Sequence, residues 1–331
     1  MAYDPNVLRR ATEELERRSR EHQLNTARRR AKLYAAEPEL DRLDRSLQAT
    51  MAQLAAAALR KGESVRKAVE EIRADNLALQ TRRTQLLAKH GFGSDALENA
   101  PLCPHCGDSG WKGVQMCECL KQIYAAEQIR ELSTLLDLAG QSFDTFRLDY
   151  YSPQSQNGQE SCRDSMGRVL QICKAYAKNF GSFAIHNLYL FGQPGLGKTF
   201  LSACIAREVS EQGRSVVYDT AGNIFTQFED RKFSRGEDNR DARDETHRYL
   251  NCDLLILDDL GSEMTTQFTQ TALYELINTR LVGGKHTVIS SNYSPVELEQ
   301  RYSPQIVSRL KGEYHHLRFC GQDIRTLKKQ R

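Results

Sequence analysis

Hydrophobic positions divide this chain into two regions of different period. From residue 6 to 90 the only helix breakers are Pro38 and Gly62, which cut the segment into three helical stretches. In the second stretch Leu40, Leu43, Leu47, Met51, Leu54 and Ala58 fall three or four residues apart on one stripe. In the third, Val65, Val69, Ile72, Leu79 and Leu86 keep a heptad frame interrupted by Asn76 and Arg83. Thin stripes make a small core, so the pattern predicts a helical hairpin or short coiled coil, either a spacer or a docking module for another protein. Gly91-Phe92-Gly93-Ser94 ends this region, 121–139 reads as helix, a loop-rich stretch runs from 150 to 158, and a helix is expected over 161–180. Beyond it, short apolar runs at 188–191, 215–218, 254–257, 287–290 and 316–319 alternate with helix-length segments. That alternation is the pattern of a parallel sheet covered by helices, an α/β domain. The charged stretch 229–245 reads as a mobile loop.

The strongest chemical signal sits at the first of those runs. Gly192-Gln193-Pro194-Gly195-Leu196-Gly197-Lys198-Thr199 fits GxxxxGK[ST] between an apolar strand and a helical stretch, 200–211. Glycines let backbone N–H groups converge on phosphates, Lys198 meets the β and γ phosphates, and the Thr199 hydroxyl ligates Mg²⁺. Downstream, Asp253-Leu254-Leu255-Ile256-Leu257-Asp258-Asp259 is an apolar strand ending in two acids. Asp258 at that tip is placed to orient Mg²⁺, and Asp259 faces the attacking water as base or water-orienter. Together the two elements indicate Mg²⁺-dependent binding and hydrolysis of a nucleoside triphosphate. Asn292, closing the run 287–292, either holds the hydrolytic water, contacts the γ-phosphate, or is a turn residue before Tyr293-Ser294-Pro295.

The cysteines add a second centre. Cys103, Cys106, Cys117 and Cys119 fall within 17 residues, while Cys162, Cys173, Cys204, Cys252 and Cys320 are scattered singly and read as small buried hydrophobes. Four thiolates at this spacing, with Gly107 and Gly110 allowing the turn, indicate a tetrahedral Zn²⁺ site whose metal supplies the folding energy of a segment too short for a core. An iron–sulfur cluster is the rival, and His105 is a bystander. No run of about 18 apolar residues occurs and the N-terminus is charged, so the chain reads as cytosolic, where metal binding is preferred to disulfides. A length of 331 residues allows about two domains. The net charge of +3 hides an asymmetry: residues 1–90 carry 19 Lys and Arg against 13 Asp and Glu, an excess of 6, and the remainder is net acidic. That basic third reads as a solvated helix face, with direct nucleic-acid contact as the alternative.

The phosphate loop, the LLILDD strand, the SSN run, the approach segment Phe143-Asp144-Thr145-Phe146 and the ending SRLKGEYHHLRFCGQDIR resemble bacterial helicase loaders of the DnaC/DnaI type, a branch of the AAA+ ATPases. The resemblance covers roughly 140–331; the cysteine module is similar to the zinc region that precedes the ATPase domain in some loaders, and the first 90 residues match only in kind. It implies a helical partner-binding region at 1–92, a zinc module at 93–125, a linker helix and loop at 126–164, and an AAA+ P-loop ATPase domain at 165–331. With Gly192, Pro194, Gly195 and Gly197, it makes Lys198 and Thr199 Walker A, Asp258 and Asp259 Walker B, and Asn292 sensor 1. Arg309 falls where the family has the arginine finger aimed at a neighbouring subunit's γ-phosphate, and Arg325 where it has the sensor 2 arginine. Only about 12 residues follow the last apolar run, too few for a helical lid, and Asp-Asp where Asp-Glu is common implies slow, switch-like turnover. The implied cofactors are ATP, Mg²⁺ and Zn²⁺. The implied partners are a replicative hexameric helicase, single-stranded DNA and further copies of the chain, with no membrane. Phe225, Phe228 and Phe233, interleaved with Arg231 and Lys232, are either a stacking platform for single-stranded DNA or an amphipathic helix. Two other functions stay open: a transposition helper ATPase of the IstB type, and a nucleotide-gated adaptor that neither binds DNA nor hydrolyses ATP.

Overall fold

The computed structural model describes residues 3–58, 64–136, 138, 140–155, 160–233 and 237–329, with the side chains of 51–68 and 237–240 left aside. The expected break at Gly62 and the stripe positions Met51, Leu54, Ala58 and Val65 lie outside what is described, as does Gly158. Contacts divide the chain into two units, one of residues 13–117 and one of residues 1–12 with 118–331.

Helix α1 (Pro5–Ala36) is followed by α2 (Pro38–Ala58) and α3 (Ser64–Lys89), the first break falling at Glu37 because Pro38 suits only the first turn of a helix. In the 13–117 unit Leu33, Leu40, Leu43, Leu86, Leu87 and Leu97 form a small apolar core. Around it Arg83 donates to Asp44 at 2.6 Å and Arg82 to Glu39 at 2.7 Å, adding ion pairs between α2 and α3. A two-stranded hairpin, β1 (Trp111–Lys112) with β2 (Gln115–Met116), completes this unit.

The second unit holds the sheet. In chain order its elements are α4 (Glu118–Leu132), α5 (Cys162–Lys178), β3 (Asn187–Phe191), α6 (Lys198–Glu211), β4 (Val216–Thr220), α7 (Ala221–Phe233), α8 (Glu237–Asn251), β5 (Leu254–Leu260), α9 (Gln267–Val282), β6 (His286–Ser291), α10 (Pro295–Leu298), α11 (Pro304–Glu313), β7 (His315–Arg318) and α12 (Ile324–Lys329). All five apolar runs are strands, paired in parallel in the order β4-β5-β6-β3-β7. A parallel sheet is covered on both faces, and two apolar clusters follow. One packs α5 and α6 residues such as Met166, Tyr176 and Leu201 against Leu188, Leu190 and Ile256; the other packs Ile224, Leu273 and Ile306 against Leu255, Leu257 and Ile289. Residues at the chain start belong here too. Asp4 caps α1 by accepting from the N–H groups of Asn6 at 2.9 Å and Val7 at 3.1 Å, and its carboxylate pairs with Arg248.

One expectation is corrected and one open alternative is settled. The charged stretch 229–245 is helical wherever it is described, because α8 buries Ala242, Thr246 and Tyr249 on one face while its charges stay outside. Phe225 and Phe228 are core residues, 3% and 2% exposed, so neither stacks on a ligand; Phe233 alone of the three is exposed.

At the opposite end of the strands from their C-terminal tips, the buried Arg280 donates to Thr287 Oγ1, to the carbonyls of Tyr249 and Cys252, and to that of His286. Beside it His286 stacks on His186 at 4.9 Å, meets Phe180 at a tilt at 4.3 Å, and faces Tyr176 and Asp253 as well. Burial first, then His186, lowers the His286 imidazole from 6.5 to about 4. The folded state therefore holds it neutral, and stability fully present above about pH 6.5 is lost as pH falls toward 4. Urea unfolding midpoints measured across that interval should drop in the wild type and drop less in His286→Gln.

Candidate functional site

The C-terminal tips of β3, β5 and β6 meet at the N-terminus of α6, the place where parallel sheets bind ligands. The loop 192–197 reaches its shape through glycines. Gly195 has φ +78°, and a Cβ there would lie 2.0 Å from Asp323 Oδ1. Gly192 has φ +150°, and a Cβ would meet the Phe319 carbonyl oxygen at 2.4 Å. Both contacts come from the segment after β7, which also anchors the loop by donating from Ile324 N–H to the Gly195 carbonyl at 3.0 Å.

Lys198, 5% exposed, donates to the carbonyls of Gly192 at 2.7 Å and Gln193 at 3.0 Å and to Asn292 Oδ1 at 2.9 Å. Burial lowers its ammonium from the ordinary value, opposed by Asp259 and Asp258. Asp258, 3% exposed, accepts from Tyr218 OH at 2.6 Å, from the Ser290 hydroxyl, and from Thr199 Oγ1 at 3.3 Å. Burial and the Asp258 charge both raise the Tyr218 hydroxyl, which keeps it a donor. Asp259 is held differently. Its φ of +54° is left-handed, one of only two such non-glycine residues among those described, and it coincides with the register shift between Leu257 and Leu260. Its N–H donates to Ser290 Oγ at 3.1 Å, which turns the carboxylate outward. Although that side chain is exposed, partial desolvation at the wall and then Asp258 raise its carboxyl, while Lys198 and Arg325 pull it back.

Pro194, Gly195, Gly197, Lys198, Thr199, Asp259, Asn292 and Arg325 share one cavity of about 580 Å³, within the range of ligand sites. Arg309 is not among them. It stacks over the Tyr274 ring at 5.2 Å and donates to its hydroxyl at 3.2 Å. Sequence reasoning missed Tyr218 and Ser290, which act only because β4 and β6 flank β5. It also missed Gln141, Arg147, Tyr150 and Tyr151, which line the cavity from the segment before α5.

The four clustered cysteines come together, their sulfurs all within 4.8 Å of one another and Cys103 Sγ 3.8 Å from Cys117 Sγ. Four sulfurs at tetrahedral Zn–S distance lie about 3.8 Å apart, so the donor set fits one such ion. Asp108, the other left-handed non-glycine residue, accepts from the N–H groups of Cys103 at 2.7 Å and Leu102 at 3.1 Å, and Gly110 N–H donates to Cys106 Sγ at 3.4 Å.

A family model described as "IstB-like ATP binding protein" matches residues 180–329. This region is an IstB/DnaC-like AAA+ ATPase domain. The AAA+ domain is 31% identical over 146 residues to the chromosomal replication initiator protein DnaA of Flavobacterium psychrophilum, covering 43% of this chain and 30% of that protein. Over 170 residues it is 21% identical to the replicative helicase loader DnaC of Escherichia coli K12, covering 51% of this chain and 62% of that one. The chain thus spans less than two thirds of the curated relatives it matches. A crystal structure of the DnaC helicase loader superposes with a TM-score of 0.43 at 22% identity, over 54% of this chain and 98% of that one. No helix among the described residues is long and apolar enough to cross a membrane.

Tyr218→Phe removes one charge-assisted hydrogen bond from a buried carboxylate without changing shape. It should cost about 1.5–3 kcal/mol, read as a lower denaturation midpoint of the sheet-bearing unit.

Proposed function

We propose that this chain is an ATP-dependent loader that places a replicative ring helicase on single-stranded DNA, its ATPase domain acting as a slow switch. The observation that carries the reading is the convergence of Lys198, Thr199, Asp259, Asn292 and Arg325 on one cavity within a DnaC-like AAA+ domain. Lys198 and the loop N–H groups bind the phosphate chain. Thr199 Oγ1 and Asp258, 3.3 Å apart, are a hydroxyl and a carboxylate suited to Mg²⁺ and its water shell, and bound Mg²⁺ neutralises charge on the phosphates. Asp259, turned outward and with its carboxyl raised, takes the proton of the attacking water, and Asn292 orients that water. Arg325 stabilises charge on the γ-phosphate within the chain, and Arg309, outside the cavity, reaches that of a neighbouring copy. The helical region and the cysteine module hold the helicase, and Phe233 with Lys232 is the surviving part of the DNA-contact reading.

An IstB-type transposition helper is the second reading, favoured by the description of the family model that matches the domain. Co-elution with the host's replicative helicase, in ATP, in ADP and with Lys198→Ala, separates the two. The loader reading expects a complex that changes with nucleotide and is altered by Lys198→Ala. Absence of a complex in every state, with ATPase activity and DNA binding retained, would favour the helper.

For the cysteine centre, elemental analysis of the purified protein should give about one equivalent of zinc per chain, and Cys103→Ser or Cys117→Ser should lose most of it. Less than half an equivalent with four titratable thiols would remove the zinc assignment.

A further inference from the structure

Where β5 runs beside β6, Leu257 lies opposite Ile289 and Leu260 opposite Ser291, so Asp258 and Asp259 together face the single residue Ser290. Two residues against one make a bulge, uncommon between parallel strands, and bulges beside active sites re-aim the side chains they carry. The extra residue leaves the ladder short of a partner, and Ser290 supplies one from its side chain. Its Oγ accepts from the Asp259 N–H at 3.1 Å and donates its proton to Asp258 Oδ1. Ser291 closes the far side by donating to the Leu260 carbonyl at 2.6 Å. Ser290 is fully buried and is not part of the cavity wall, whereas Asp259 is.

The two acids depend on that hydroxyl to different degrees. Asp258 has a second support, because Tyr218 and Thr199 both donate to its other oxygen, Oδ2. The Asp259 N–H goes to Ser290, and that bond helps hold a backbone at φ +54° that non-glycine residues avoid. We propose that Ser290 is a positioning residue for the reaction at this site, one hydroxyl setting the direction of both acids, Asp258 toward Thr199 and Asp259 into the cavity. This rests on the reading of the cavity as a Mg²⁺-dependent ATPase site, and it assigns what gives the two acids their separate directions. Groups that orient a carboxylate serving a metal govern affinity or activity by about 10- to 100-fold, and a small displacement of a reacting group is as costly.

Tyr218→Phe removes a bond from Asp258 alone, and Ser290→Ala removes one from each acid, so the pair of variants tests the assignment. The first measurement is equilibrium binding of a non-hydrolysable ATP analogue to the full-length protein across a Mg²⁺ titration. The Mg²⁺ concentration at half effect should rise about tenfold in both variants. Binding of the analogue in EDTA should keep its wild-type affinity, which reports an intact phosphate loop. The second measurement is turnover at saturating ATP and Mg²⁺, which should fall about tenfold further in Ser290→Ala than in Tyr218→Phe. Ser290→Cys, close in shape but a weak donor and acceptor, should fall in the same direction by less, and takes the place of Ser290→Ala if that variant does not fold. Wild-type turnover in the serine variant would overturn the proposal, as would equal losses in the serine and tyrosine variants. If the wild type binds the analogue without regard to Mg²⁺, or hydrolyses no ATP, the ATPase reading of the cavity falls first and this one with it. If the wild type is a Mg²⁺-dependent ATPase that Ser290→Ala leaves untouched, that reading stands and only the role of Ser290 fails.

Discussion

One carboxylate holds the phosphate end of this domain together. Asp258 ends the apolar part of β5 and gathers hydroxyls from Tyr218 on β4, Ser290 on β6 and Thr199 on α6, so four elements meet on two oxygen atoms. A buried charge is tolerable only when its lone pairs are filled, and here every donor is a neutral hydroxyl. No lysine or arginine is spent on it, which leaves Lys198 and Arg325 for the cavity. Asp259 is a product of the same arrangement. With Asp258 turned inward to its hydroxyls, the following residue must leave the ladder, and its left-handed backbone is the bend that does so.

Arg280 plays the complementary part at the strand starts. It is fully buried, and its donors go to a hydroxyl, three backbone carbonyls and the Cys252 sulfur rather than to a carboxylate. Those carbonyls belong to the end of α8 and to the approaches of β5 and β6, whose N–H groups are committed to the sheet. The guanidinium thus ties the end of α8 to the start of β6. β6 is pinned at its start by Arg280 and at its end by Ser290 and Asn292, so the strand that carries Asn292 has little freedom to slide.

Much of this could be read from the chain. The five strands were legible because a strand buried on both faces must be a continuous apolar run, and the phosphate loop and four thiols were legible because their chemistry imposes local spacing. What escaped depended on approach through space. Tyr218 looks like any strand tyrosine until β4 is set beside β5. The phenylalanines at 225 and 228 have a helical period that serves a core as well as a ligand, and burial decided between the two. The stretch 229–245 was misread because charge alone says little against a helix whose other face is apolar. Gln141 carried no signal, lying in a turn that only the fold brings to the wall of the cavity.

The backbone of that loop can be accounted for atom by atom. The carbonyls of Gly192 and Gln193 accept from Lys198, that of Gly195 from Ile324, that of Leu196 from Tyr151, and that of Gly197 from Leu201. Five of the six oxygens between residues 192 and 197 are therefore engaged by the protein itself, and Pro194 has no N–H to add. What the peptide groups offer the cavity is the positive end of their dipoles, repeated along a short arc. Such a surface sorts ions by sign before any side chain is consulted, admitting a polyanion and leaving a metal cation a single loop oxygen, that of Pro194, so that a cation enters chiefly in the company of the anion it escorts.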